Sequence, residues 1–429
     1  MKKLLAAVCV CSMLLCGCQS QGTYLKPYAG VTASKTADVS SMIDTRVWEG
    51  FAADLGVVSV DDSENGIDSE TLSQIDAKEV FLTGTTDSTV LTAYNIYTQM
   101  PPASITKIMT LILIFDALDS GKIKLDEMVT TSEYAASMGG SQVFLEAMEQ
   151  QTVDTLIKCI AVASANDACV AMAEHICGTE AKFVEKMNER AKSLGMNNTN
   201  FVNCCGLDVD GHITTARDVA IMSRELITKY PQIFNYSGIW MQNIVHTTNK
   251  GSSEFGLTNT NKLIKQYSYA TGLKTGSTSK AKYCVSATAS KDGVDLIAVV
   301  MAAPDYKVRF KDAVTLLEYG FANCSVYKDE DMPVLDKQKV KNSLKEKIGV
   351  SYEQEFSYLS VNDKSLNNVE KKLNLKKIVA PVKAGDSVGT IDYYIDGEKI
   401  GSVNIISDED AAAADLKSYI SMIFKEILL

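Results

Sequence analysis

One stretch limits what this chain can fold into more than any other: "PPASITKIMTLILIF", from Pro101 to Phe115. After Lys107 come Ile108, Met109, Leu111, Ile112, Leu113, Ile114 and Phe115. A helix that is apolar nearly all round is a buried helix, so other elements must pack around it. Lys107 is out of place there, because desolvation disfavours the charged form of a lysine. Ser104 lies three residues earlier, on the same helical face. Pro101 and Pro102 fix the entry of the chain and place Ser104 at the first turn. Backbone N–H groups are unpaired there, and the helix dipole favours negative charge. A serine oxygen attacking a carbonyl would find anion stabilisation at that point, and a neutral, desolvated lysine beside it could serve as the activating base. The plainer reading is a capping serine and a lysine that snorkels to the surface.

The spacing alone decides little, since Ser277/Lys280, Ser279/Lys282 and Ser325/Lys328 repeat it. Only Ser104/Lys107 leads a buried helix. Ser164-Ala165-Asn166 sits between two apolar helical stretches within Thr152 to Cys177, although Ser-x-Asn also occurs at Ser63/Asn65, Ser360/Asn362 and Ser402/Asn404. Lys274-Thr275-Gly276-Ser277 occurs once, just before a strand hairpin. Ser-x-x-Lys, Ser-x-Asn and Lys-Thr-Gly in that order, with long intervals, form a specific combination found in β-lactamases and penicillin-binding proteins.

From about Ala77 to Phe321 the sequence resembles the low-molecular-mass penicillin-binding proteins that act as serine-type D-alanyl-D-alanine carboxypeptidases. The resemblance is carried by "PPASITKIMT", "ASANDACVAMAEH", "GLDVDGHITTARD", "NTNKLI", "GLKTGSTSKAKYC" and "LIAVVMAAP". "APVKAGDSVGTIDYYIDGEKI" is similar, more weakly, to that family's β-rich C-terminal domain. The resemblance implies Ser104 as nucleophile, Lys107 as its base, and Ser164 as the bridge that passes a proton to the departing D-alanine. It implies Asn166 as the group orienting Lys107 and the substrate amide. Lys274, Thr275 and Ser277 would hold the substrate carboxylate. The backbone N–H groups of Ser104 and Ser277 would form the oxyanion hole. Gly276 would leave the strand edge open to an extended peptide. The family calls for no cofactor and no metal. Its partners are stem peptides ending in D-Ala-D-Ala, and β-lactams that acylate the same serine. Some relatives carry His where this chain has Ser277.

Two other readings share this scaffold. A serine β-lactamase needs a deacylating carboxylate, usually in a Glu-x-x-Leu-Asn segment, and none occurs between Ser164 and Lys274. A lipid-anchored wall-binding or sensor protein would acylate without turnover, but every motif side chain is present. A nucleic-acid partner does not fit a net charge of -11, which lacks the positive field that draws phosphates.

The expected fold class is α+β: a β-lactamase/transpeptidase-like catalytic domain, made of a helical cluster and an antiparallel sheet, then a small β-rich domain and a C-terminal amphipathic helix. Glu79 to Leu82 and Val90 to Tyr94 read as strands. Phe183 to Leu194 reads as an amphipathic helix. Thr215-Ala216-Arg217-Asp218 resembles a capping box. Tyr283 to Ala289 and Val294 to Ala303 read as a hairpin around Asp292-Gly293. A helix from Arg309 is expected to end near Tyr319 with Gly320 as its cap. The expected divisions are residues 1–18 as a lipoprotein-type signal, 19–76 as tether and lead-in, 77–324 as the catalytic domain, 325–408 as the β-rich domain and 409–429 as the helix.

Lys2 and Lys3 precede an apolar run from Leu4 to Leu15, too short to span a bilayer. Leu15-Cys16-Gly17-Cys18 resembles a bacterial lipoprotein signal, which implies lipidation at Cys18; an ordinary cleaved signal is the alternative. The expected location is the outer face of the cytoplasmic membrane. Leu416, Tyr419, Ile420, Ile423, Phe424, Ile427 and Leu428 form one apolar stripe, expected on the membrane surface rather than packed on the β-rich domain. Cys159, Cys169, Cys177, Cys204, Cys205, Cys284 and Cys324 read as free buried thiols. No CxxC pair is present and the three histidines are scattered, so a structural zinc site has no support.

Overall fold

A computed structural model describes residues 74–85, 90–361, 366–415 and 420. Cys18, the lead-in and all but one residue of the terminal stripe lie outside the described residues. Among the described residues, no helix is long and apolar enough to cross a membrane.

The first strands of the described residues are antiparallel, β1 (Glu79–Gly84) and β2 (Val90–Tyr94). After the helical part it returns to the same sheet with β3 (Ala270–Thr278), β4 (Lys282–Lys291) and β5 (Val294–Ala303). The order across the sheet is β2-β1-β5-β4-β3, antiparallel throughout, so β3 is an edge strand. Successive strand residues face opposite sides, and here both sides are buried. Val80, Leu82, Val285, Leu296, Ala298 and Val300 join the core under the last helix of the domain, whereas Phe81, Ile297, Val299 and Met301 join the core of the helical cluster. Asp292 and Gly293, with φ of 52° and 81°, make the β4–β5 turn, as Asp-Gly predicts.

The apolar stretch becomes a 3-10 turn, Ala103–Thr106, followed by α1 (Lys107–Asp119). Ile108, Met109, Leu111, Ile112, Ile114 and Phe115 are all buried. At about 1.5–3 kcal/mol for each large side chain taken from water, this helix anchors the helical cluster. The first turn differs from expectation: Ser104 lies on the 3-10 turn, and α1 starts at Lys107. Around α1 pack α2 (Val153–Val162), α3 (Asn166–Cys177) and α4 (Ala216–Lys229). Thr215 caps α4 by accepting from Asp218 N–H at 3.2 Å. The Asp218 side chain accepts from Asn198 N–H, Thr199 and Arg217, which fixes the preceding loop.

The last helix of this part, α5 (Val308–Asn323), runs through Gly320 instead of ending there. A Cβ at Gly320 would lie 2.5 Å from Leu296 Cδ1 and 3.1 Å from Leu82 Cδ2. The glycine therefore serves the close approach of helix to sheet, not a cap.

Beyond Cys324 the described elements are almost all strands. A four-stranded sheet has the order Val350–Tyr352, Glu398–Ser407, Ser387–Ile395, Glu370–Leu375. Its core stacks the Phe356 and Tyr393 rings at 3.6 Å between centroids. A three-stranded and a two-stranded sheet complete this region.

Candidate active site

The mouth of the site is the 3-10 turn set against the edge strand β3. A Cβ on Gly276 would stand 3.0 Å from Ser104 N, Ile105 N and Pro102 O. The contact between strand and turn thus requires a glycine at 276. Arg309, in the first turn of α5, is buried. Its Nη1 donates to Gly276 O at 3.1 Å and Cys284 O at 3.3 Å, tying the edge strand to its neighbour.

Lys107 is fully buried. Its Nζ donates to Ser104 Oγ at 3.0 Å, Asn166 Oδ1 at 2.7 Å and Cys205 O at 2.7 Å. Two of these partners can only accept. They fix two N–H directions of Nζ and leave the third position facing Ser104 Oγ. When the lysine is neutral, that position is its lone pair. Asn166 is oriented in turn: its Nδ2 donates to Gly139 O at 2.6 Å and its backbone N–H to Ser141 O at 2.7 Å.

Ser164 lies in the joint between α2 and α3 with φ of 61°, a left-handed conformation that costs a non-glycine residue about 1–2 kcal/mol. Lys274 Nζ donates to Ser164 Oγ at 2.9 Å and to Thr275 O at 3.0 Å. Burial, and then the charges of Lys107 and Arg309, hold its ammonium well below the ordinary lysine value. Both hydrogen-bond partners of Nζ are neutral, a hydroxyl and a backbone carbonyl. Thr275 Oγ1 donates to Thr260 Oγ1 at 2.8 Å. Ser277 is exposed and Ser104 half-buried, whereas Lys107, Ser164, Asn166, Lys274 and Thr275 are buried behind them.

Ser104, Lys107 and Asn166 thus form one hydrogen-bonded group, and Ser164 and Lys274 form a second. Sequence reasoning missed Gly139 and the Cys204–Gly206 loop. The loop's contribution is a backbone carbonyl, which no side-chain pattern announces. Asp208 was also missed; it accepts from Thr278 Oγ1 at 2.8 Å beside the strand end. The group can deprotonate a serine next to a glycine-lined strand edge, with a second lysine able to take an anion. That is the chemistry of acyl transfer.

Comparison with known proteins agrees. The D-alanyl-D-alanine carboxypeptidase family (peptidase S11) matches residues 66–305, and the family described as penicillin-binding protein 5, C-terminal domain, matches residues 321–413. D-alanyl-D-alanine carboxypeptidase DacF of Bacillus subtilis is 41% identical over 349 residues, 80% of this chain and 88% of that one. DacA of Escherichia coli is 31% identical over 76% of this chain and 81% of its own. Penicillin-binding protein 5 of Haemophilus influenzae has a similar crystal structure, with a TM-score of 0.64 and 32% identity over 79% of this chain and 98% of that one. The chain belongs to the D-alanyl-D-alanine carboxypeptidase family of serine peptidases.

Proposed function

We propose that the protein removes the terminal D-alanine from peptidoglycan stem peptides through an acyl-enzyme on Ser104, and that β-lactams acylate the same atom. The observation that carries this reading is the fixed Nζ of Lys107, with its free position 3.0 Å from Ser104 Oγ. Ser104 Oγ attacks the carbonyl of the penultimate D-alanine and its proton passes to Lys107. The backbone N–H groups of Ser104 and Ser277 take the oxyanion, and each such donor is worth about 3 kcal/mol. Ser164, hydrogen-bonded to Lys274, passes a proton to the nitrogen of the departing D-alanine. Lys274, Thr275 and Ser277 hold the terminal carboxylate. That carboxylate supplies the counter-charge Lys274 otherwise lacks, so binding favours its charged form. Water then hydrolyses the ester. In a β-lactam the leaving nitrogen stays tethered and blocks that water.

The protein acts outside the cell, held to the outer face of the cytoplasmic membrane by lipid on Cys18 and by the apolar stripe from Leu416 to Leu428. The sequence pattern supports this placement. Cys18→Ala should move the protein from the membrane fraction to the soluble one; unchanged fractionation would count against the lipid anchor.

The activity is tested by incubating the protein with diacetyl-lysyl-D-Ala-D-Ala and assaying free D-alanine. Release by the native protein and none by Ser104→Ala is expected. Equal release by both would remove Ser104 from the reaction.

A further inference from the structure

The β-rich region gathers positive charge on one face. Lys339 and Lys347 stand directly opposite each other across the antiparallel strands Gln338–Lys341 and Lys347–Ile348. Like charges in that position repel. On the other side Val340 pairs in parallel with Ile378, so Lys377 stands beside Lys339 one position back. Val340, Ile348 and Ile378 are buried, whereas Lys339, Lys347 and Lys377 are exposed. Alternation along the strands therefore sets these three lysines in a row on the outer face. Lys337 and Lys376 line the same hollow, of about 810 Å³, in which Asp336 is the one lining carboxylate. The neighbouring Lys345 and Lys371 are paired with Glu409 and Asp329. Among the described residues, none of the five lysines of the hollow is in an ion pair. In a chain of net charge -11, that face keeps its repulsion without an internal counter-charge.

Exposed aliphatic side chains accompany the lysines. Leu375 lines the hollow, Val379 follows Lys377 on the outer side of its strand, and Leu344 sits in the turn between the first two strands. A soluble polyanion offers such side chains nothing, whereas a lipid surface takes them into its headgroup boundary. The chain also leaves the sheet at this point. Ala414 N–H donates to Asn342 O at 2.8 Å, and Asn342 lies three residues, about 10 Å of strand, from Lys339. The apolar stripe starts two residues after Ala414, at Leu416. Its Lys417 and Lys425 are balanced by Asp415 and Glu426, so this segment brings apolar area and no net charge.

We propose that Lys337, Lys339, Lys347, Lys376 and Lys377 form a docking face for anionic phospholipid headgroups, with Leu344, Leu375 and Val379 entering the headgroup boundary. The face supplies the electrostatic part of membrane attachment and the stripe supplies the apolar part. The inference rests on the membrane placement proposed above, and adds to it the class of lipid and the residues that select it.

The test uses the full chain with Cys18→Ala, which takes no lipid, and vesicles of phosphatidylcholine alone or mixed two to one with phosphatidylglycerol. Flotation at low salt should show about tenfold or more tighter binding to the mixed vesicles, and molar salt should erase the difference, because it shortens screening to about 3 Å. The combined variant Lys337→Gln, Lys339→Gln, Lys376→Gln and Lys377→Gln should bind both vesicles alike. A second variant, with Lys124, Lys182, Lys186 and Lys192 changed to Gln, has the same net charge and should keep the preference. Thermal melting shows which variants are folded, and the lipid and salt dependence of the unsubstituted face decides the matter if the first variant is not. Equal binding to both vesicles, a preference that survives in the folded first variant, or one lost equally in the second would overturn the proposal. Tighter binding to soluble poly(glycerol phosphate) than to the mixed vesicles would give the face to a polyanion and overturn the lipid assignment. The membrane placement itself is read from fractionation of cells expressing Cys18→Ala. The vesicle preference does not depend on that result, so the two failures are distinguishable.

Discussion

Asn166 Oδ1 lies 2.7 Å from Lys107 Nζ and, being unable to donate, fixes which face of that nitrogen is left for Ser104. The second fixed direction belongs to Cys205 O. The lysine is buried, but its reactive direction is set by two neighbours, one a side chain and one a backbone carbonyl.

Replacement of Lys107 by Arg should abolish acylation, because a guanidinium cannot act as a neutral base. General-base catalysis contributes roughly 10²–10⁴-fold. Single-turnover labelling by a fluorescent penicillin should fall by that order in Lys107→Arg, while Lys274→Arg keeps measurable labelling. Equal loss in both would contradict the division of roles.

Lys274 should give the pH profile its alkaline limb. Its ammonium is held below the ordinary lysine value by burial, and only the charged form attracts the substrate carboxylate. kcat/KM for the peptide should therefore fall as pH rises, starting below about 10.4, the ordinary lysine value. In Lys274→Arg the limb should move to higher pH. A limb at the same pH in both proteins would assign it to another group.

Gly276→Ala would place a methyl 3.0 Å from three backbone atoms of the nucleophile turn. The turn cannot yield without moving Ser104. Acylation should drop about ten- to a hundredfold, or about 1.4–2.7 kcal/mol of barrier, while the melting temperature shifts only slightly. A loss under twofold would show that the strand and turn can separate without cost.

Glu79 offers a test of the sheet. Both its carboxylate oxygens are buried without a hydrogen-bond partner. Burial, partly offset by Lys78, pushes its carboxyl up to about 8 from 4.5. Between those values the folded protein keeps a proton that the unfolded chain releases, so stability declines as pH rises and the contribution is gone above about 8. Urea unfolding should show a loss on the order of 2–4 kcal/mol between pH 5 and 8, and Glu79→Gln should remove that slope. A slope that persists in the variant would place the titration elsewhere.

The sequence was most readable where a period or a turn carries the signal. Val294–Ala303 begins and ends where its apolar run does, and Asp292-Gly293 gives the turn before it. The helix after Lys107 was legible because no surface could accept it. Gly320 misled, because a glycine needed for helix–sheet contact looks the same in sequence as one that ends a helix. The hairpin of Met241–Thr248 and Gly251–Thr258 gave no clear pattern, since most of its residues are exposed. The motif serines and lysines could be read from side chains and order. Cys205 O, Gly139 O and the burial of Arg309 could not, because each depends on which distant segments the fold brings together.

The most direct measurement follows D-alanine release from diacetyl-lysyl-D-Ala-D-Ala and nitrocefin hydrolysis in parallel on one preparation, with Ser104→Ala as control. Both reactions share acylation at Ser104 and differ in what happens to the ester. Sustained release of D-alanine, with nitrocefin consumed to about one equivalent and then only slowly, is the predicted result, and Ser104→Ala should do neither. Nitrocefin turnover faster than peptide turnover would contradict the carboxypeptidase account and favour a β-lactamase.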